Sequence, residues 1–189
     1  MNDVTKEQLI GYIEKASVAI LGILFILFPI LFTNITTDLF VLPKQALLVF
    51  VVMALMLLYG IRTFLSQTLR IKRTPFDLPI LTFIFAALLS VVFSVAKYDS
   101  LYNFVPLLFA ALSYFTITYN VRHQKSLGVL ILALLTGGTI VSVITLFSFL
   151  KVYVFSFDFS KVQTFTTLGS VLDQAIYLGI LLSVGLYYL

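Results

Sequence analysis

The sequence has no cysteine, no tryptophan and one histidine in 189 residues. Without cysteine it holds no disulfide, no thiolate metal site and no thiol nucleophile. One histidine does not build a zinc or haem site of the usual multi-histidine kind. Without tryptophan, any aromatic belt at a membrane surface falls to the 10 Tyr and 19 Phe. Charge is scarce as well. Asp, Glu, Lys and Arg make up 11% of the chain, where about 25% is usual for a globular domain. The hydrophobic share is 61% and the mean hydropathy +1.11. A soluble fold of this size has more surface than so few charges can cover. The composition excludes a cytoplasmic enzyme, a disordered chain and a disulfide scaffold, and it predicts an all-α, polytopic transmembrane helix bundle.

A helix of about 20 apolar residues crosses a bilayer. Six such stretches stand out: Ala16–Thr33, Leu39–Gly60, Asp77–Val95, Leu101–Thr118, Ser126–Leu150 and Val171–Leu189. They divide the chain into an N-terminal segment, 1–15, and a transmembrane domain, 16–189. The segment mixes acids and bases, the run after it is too long for a signal-peptide core, and no A-x-A cleavage site follows; the first run is a retained span.

The net charge is +4, and its distribution predicts topology rather than nucleic-acid binding. No basic patch with interleaved aromatics is present, so no nucleic-acid partner is expected. Of the 12 basic residues, Lys6, Lys15, Arg62, Arg70, Lys72, Arg73, Arg122 and Lys125 fall on one side of the alternating spans, and Lys44, Lys97, Lys151 and Lys161 on the other. The richer side is cytoplasmic by the positive-inside rule. The N-terminus is therefore expected inside, and the connections after the first, third and fifth spans outside. The longest of these, Lys151 to Ser170, carries Phe155, Phe157, Phe159 and Phe165. Such a segment lies on the membrane surface or packs under other helices, and its alternation suits a short extended piece.

Inside the spans, small residues recur every four positions: Ala86, Ser90 and Ser94; Ala133 and Gly137; Gly138 and Ser142. That spacing lets helix backbones approach closely in lipid. Pro29 and Pro106 each remove a helical hydrogen bond. Asp77, between Pro75 and Pro79, is expected to cap the third span.

Polar groups at membrane depth are costly and therefore informative. Lys44 either snorkels to the outer headgroups or attracts an anionic, lipid-linked substrate. Asp173 and Gln174 open the last span, either as cap and anchor or as a polar site shared with Lys44. His123 reads as a solvated turn residue, and the Arg62–Arg73 run as a topology determinant that meets anionic lipid. The sequence holds no phosphate-cradling glycine loop, carboxylate pair or serine elbow, and no chain of intramembrane acids.

Four segments, taken in order, resemble the N-terminal half of the O-antigen ligase and polymerase superfamily of bacterial envelope enzymes. They are Val41-Leu42-Pro43-Lys44-Gln45, Arg73-Thr74-Pro75-Phe76-Asp77-Leu78-Pro79, Phe93-Ser94-Val95 with Asp99-Ser100-Leu101, and Thr167-Leu168-Gly169-Ser170 with Ala175 and Tyr177-Leu178. Ser170 and Val171 stand where the family has Asn and Pro. The resemblance covers about Val41 to Leu178. It implies a metal-independent, cofactor-free glycosyl transfer from polyprenyl pyrophosphate to an acceptor outside the cytoplasmic membrane, with basic residues stabilising the pyrophosphate leaving group. The family's catalytic residues lie mainly in a large external loop of its second half, so no catalytic residue is assigned here. The chain is expected to be an N-terminal part of a longer protein and inactive alone. The substrate-side candidates are Lys44, Lys97, Lys151 and Lys161, with Asp173 beside Lys44. A transporter or flippase part, or a non-catalytic membrane subunit, are the other classes the composition admits.

Overall fold

A computed structural model describes residues 3–35, 38–68, 73–121 and 123–188. Arg70, Lys72, Arg122 and Leu189 lie outside these. The described chain is all-helical: α1 Asp3–Ile30, α2 Val41–Ser66, α3 Asp77–Val92, α4 Lys97–Asn120, α5 Gln124–Phe149 and α6 Val171–Tyr188, with one 3-10 turn at Asp158–Ser160. No strand occurs among the described residues. The Phe155–Phe159 alternation therefore does not make an extended pairing segment.

The helices coincide with the six apolar runs, but their ends differ. Helix α1 starts at Asp3, so most of the expected N-terminal segment is helix. Lys6, Glu7, Gln8 and Leu9 are good helix formers, and charge stops a hydropathy run without stopping a helix. Helix α2 continues six residues beyond Gly60, to Ser66, for the same reason. Arg62 is thus inside a helix rather than in a connection. Five helices are long and apolar enough to cross a membrane, with 18 to 26 residues each; they are the helices of a multi-pass membrane protein. Helix α3 has 16 residues, which at 1.5 Å per residue reaches about 24 Å, short of the roughly 30 Å of hydrocarbon.

Hydroxyls along these helices satisfy themselves. Exposed Thr82 and Ser183 donate to the carbonyls of Leu78 (3.0 Å) and Gly179 (3.0 Å), and half-buried Thr136 does the same toward Leu132 (2.7 Å). Lipid offers no hydrogen-bond partner, so a hydroxyl facing it must close back onto its own helix.

The chain forms two compact units. The first takes the start of α1 with residues 48–122. In it, Arg62 is 3% exposed and forms an ion pair with Glu14. Tyr59 and Tyr119 stack at 5.6 Å. The loop before α3 is tied by Asp77, whose carboxylate accepts from the Thr74 amide (2.8 Å), the Thr74 hydroxyl (2.7 Å) and the Tyr114 hydroxyl (3.0 Å). This corrects the expected cap. The Asp77 amide donates to the Thr74 carbonyl, closing a turn over Thr74–Asp77 ahead of the helix with Pro75 at its second position, where proline is favoured. Phe76 is the N-cap residue and Asp77 the first helical residue, whose carboxylate reaches backward to the Thr74 amide, as the acid of a capping box does. No residue of α3 is buried, and Ala86 and Ser90 are exposed; that small-residue stripe is not a packing seam within the described chain.

The second unit takes residues 19–47 with 123–189. Here the small residues of α5 do pack. A β-carbon on Gly137 would come 2.8 Å from the Phe25 carbonyl oxygen of α1 and 3.2 Å from Pro29 Cγ, and one on Gly138 would collide with Leu181 of α6. Thr145 of α5 donates to Gln174 of α6 at 2.8 Å. Leu21, Leu24, Leu130, Val141 and Leu181 are among the buried apolar side chains around these contacts.

Candidate functional site

Four chain segments meet at one end of the second unit: the end of α1, the start of α2, the connection after α5 and the start of α6. Lys44, in the first turns of α2, is 8% exposed. Its Nζ donates to the carbonyl oxygen of Thr167 at 2.8 Å. The hydroxyl of Thr167 in turn donates to the Pro29 carbonyl at 2.8 Å. Pro29 lies one residue from the end of α1, where the last carbonyls of a helix have no partner of their own.

The turn that carries Thr167 is built to hold this geometry. Thr166 and Thr167 are 2% and 0% exposed. The Gly169 amide closes on the Thr166 carbonyl at 3.2 Å. Gly169 has φ +100°, a left-handed conformation, and a β-carbon there would press on Phe40 at 3.3 Å; both facts call for glycine. Ser170 then caps α6. Its hydroxyl accepts from the Asp173 amide at 3.1 Å and donates to the Asp173 carboxylate at 2.7 Å.

Two carboxylates, Asp173 and Asp38, lie near enough to act on the Lys44 charge. Asp38 sits before α2 and accepts from the amides of Val41 (3.0 Å) and Phe40 (3.1 Å). Those two donors, Val41 foremost, hold its carboxyl below the usual carboxylate range.

An aromatic cluster adjoins the turn. Phe32 is its hub, with ring centroids 4.9 Å from Phe155, 5.8 Å from Phe165, 6.0 Å from Phe159, 6.1 Å from Phe40 and 6.3 Å from Phe157. Phe157 and Phe159 stack at 5.4 Å. The alternation in the sequence thus places two rings on one side of a folded connection, and Phe165 is buried. The rings of this connection pack on Phe32 and Phe40 of the 31–40 connection, while most of its other residues are exposed. Phe155 and Phe157 also line an apolar cavity of about 320 Å³ with Leu27, Ile30 and Leu31.

The expected site residues divide accordingly. Lys44 and Asp173 come together around the same turn, with Lys44 turned inward to a backbone oxygen rather than outward. Lys161 is exposed and pairs with Asp158 at 2.9 Å, which holds the Asp158 carboxyl below its usual range. Lys151 follows α5, exposed and with φ +62°. Lys97 begins α4, exposed, in the first unit. His123 is exposed in the turn before α5. Among the described residues no group of three or more His, Asp or Glu side chains gathers to hold a metal ion.

Pro29 escaped the sequence reading as a site residue because it acts through its backbone oxygen, and Thr167 because its carbonyl and hydroxyl both bond to residues more than 120 positions away. The one signal in the sequence was Gly169, a turn residue just ahead of the last span.

Fold and site together define a multi-pass helical membrane protein with a buried lysine–carbonyl knot where four segments meet. No family model matches the chain, and neither a curated protein nor a solved structure is similar to it.

Proposed function

We propose that the chain is the membrane-embedded part of an O-antigen ligase-like protein, which transfers a glycan from polyprenyl pyrophosphate to an acceptor outside the cytoplasmic membrane, and that it is inactive alone. The observation that carries the reading is the bond between Lys44 and Thr167, 123 residues apart. The two segments it joins are the first and last that resemble the family. Each intermediate segment is closed by a local bond within itself: Thr74 with Asp77, and Ser94 with Ser100 at 2.6 Å.

In this reading the N-terminus lies in the cytoplasm, and the Lys44–Thr167 knot lies at the outer end of the spans. The exposed cations Lys97, Lys151 and Lys161 lie on the outer side, where they draw the lipid-linked pyrophosphate. Lys44, in the first turn of α2, and Asp173, in the first turn of α6, flank the 166–170 turn. Membrane lipid and the polyprenyl-linked glycan are the partners, and no metal or nucleic acid takes part.

The test is deletion of the gene in its native host, followed by extraction of polyprenyl-linked glycans. Accumulation of the lipid-linked donor with loss of the transferred glycan, both reversed by the gene on a plasmid, is expected. Unchanged donor and product levels overturn the reading. Reporter fusions at 67–76 and 151–170 check the orientation: a cytoplasmic signal from the second inverts it.

A further inference from the structure

We propose that Lys44 is a positioning residue: its ammonium pins the 166–170 turn, and with it the first turn of α6, through the Thr167 carbonyl, instead of binding substrate. This refines the glycan-transfer reading and rests on it for its meaning, but its test needs no glycan, so the two can fail separately.

Three observations carry the inference. First, the ammonium is already committed. It is 8% exposed, donates at 2.8 Å to a backbone oxygen, and stands in the field of two carboxylates, Asp173 and Asp38. A pyrophosphate approaching it would meet both negative charges and would have to displace a short hydrogen bond. Second, the acceptor is a junction rather than a free loop. Thr167 bonds Pro29 through its hydroxyl, Gly169 closes on Thr166, and Ser170 caps α6. Holding one carbonyl therefore holds α1, α2 and α6 in a single register. Third, the two threonines of the turn are buried, so loss of the pin would show itself as exposure.

The chain has no cysteine, which makes single-cysteine labelling clean. A Thr166→Cys protein, reconstituted in vesicles, is treated with a membrane-impermeant maleimide in three backgrounds: Lys44, Lys44→Met and Lys44→Arg. We expect Thr166→Cys to be protected with Lys44, to label at least tenfold faster with Lys44→Met, and to regain most of its protection with Lys44→Arg, which restores a cationic donor. Tyr98→Cys, 83% exposed in the other unit, must label at one rate in all three and reports intact folding. Should Lys44→Met not accumulate, Lys44→Gln takes its place. Equal protection in all backgrounds overturns the proposal, as does a failure of Lys44→Arg to restore what Lys44→Met or Lys44→Gln loses.

Discussion

The hydroxyl of Thr167 donates to the carbonyl oxygen of Pro29 across 138 residues of chain. Helix α1 ends at Ile30, so this carbonyl is one of those that a helix leaves unpaired at its C-terminus. Thr167 is fully buried, so no water stands ready to replace it. Leaving a buried acceptor unsatisfied costs about 1–3 kcal/mol. Thr167→Val, which keeps the shape and removes the donor, is expected to cost that much. For a chain of this size it lowers the melting temperature by about 2–4 °C per kcal/mol. Thr167→Ser keeps the donor and should lose less than half as much. Thermal unfolding in detergent checks this; equal melting temperatures for the valine variant and the parent would show the bond to be worth nothing.

Gly137 and Gly138 are neighbours that face different helices, and they should answer differently to the same substitution. Alanine gains about 1 kcal/mol over glycine in a helix interior. At Gly137 the new methyl would meet backbone, the Phe25 carbonyl oxygen at 2.8 Å and the Ile26 Cα at 3.3 Å, neither of which can step aside without moving α1. Overpacking of that kind costs about 1–3 kcal/mol and outweighs the gain. At Gly138 the obstacle is the tip of Leu181, a flexible side chain that can rotate away. Gly137→Ala is expected to destabilise by on the order of 1–2 kcal/mol, and Gly138→Ala to be near neutral. Unfolding midpoints in a graded denaturing detergent series would reverse the argument if Gly138→Ala proved the worse of the two.

These contacts mark how far the sequence could be read. The six helices were legible because an apolar run of bilayer length has one cheap solution, a helix with its backbone paired internally. The start of α1 at Asp3 and the end of α2 at Ser66 were not, because Lys6, Glu7, Glu14 and Arg62 lower hydropathy while remaining good helix formers. Arg62 looked like a loop cation for want of its partner: Glu14 is 48 positions away, and no local window holds both. Lys44 and Asp173 could be suspected of sharing a site from their common end of the spans. That Lys44 is held by a carbonyl could not be seen, since every residue carries one and the side-chain pattern does not distinguish Thr167 from its neighbours.

The Arg62–Glu14 pair yields a third prediction. The Arg62 side chain is 4% exposed and that of Glu14 25%. Removing one partner of a buried pair strands a charge and costs about 3–5 kcal/mol. Replacing both with apolar residues of similar size costs far less, since the desolvation of both ions is removed along with their attraction. Glu14→Leu, which takes this carboxylate from the buried guanidinium, is expected to destabilise more than Arg62→Met, which leaves a carboxylate already a quarter exposed, and the double variant to recover more than half of the Glu14→Leu loss. A double-mutant cycle measures the coupling. Additive losses would mean that the two side chains act independently.

The last prediction concerns acid. The Asp38 carboxylate accepts the amides of Val41 and Phe40, and these donors, Val41 first, lower its pKa; the Lys44 charge adds a smaller pull in the same direction, against slight desolvation. A carboxyl whose folded value is depressed stabilises the folded state above its unfolded pKa, about 3.9. That contribution fades as the pH falls through the folded value. The start of α2 should therefore be firmly closed at pH 6 and loosen below about pH 4. Asp38→Asn keeps an acceptor for both amides but has nothing to titrate. Hydrogen-exchange protection factors at Phe40 and Val41, measured at pH 6 and pH 3, should fall with acid in the parent and stay level in Asp38→Asn. Identical acid sensitivity in the two proteins would assign the effect to some other carboxyl.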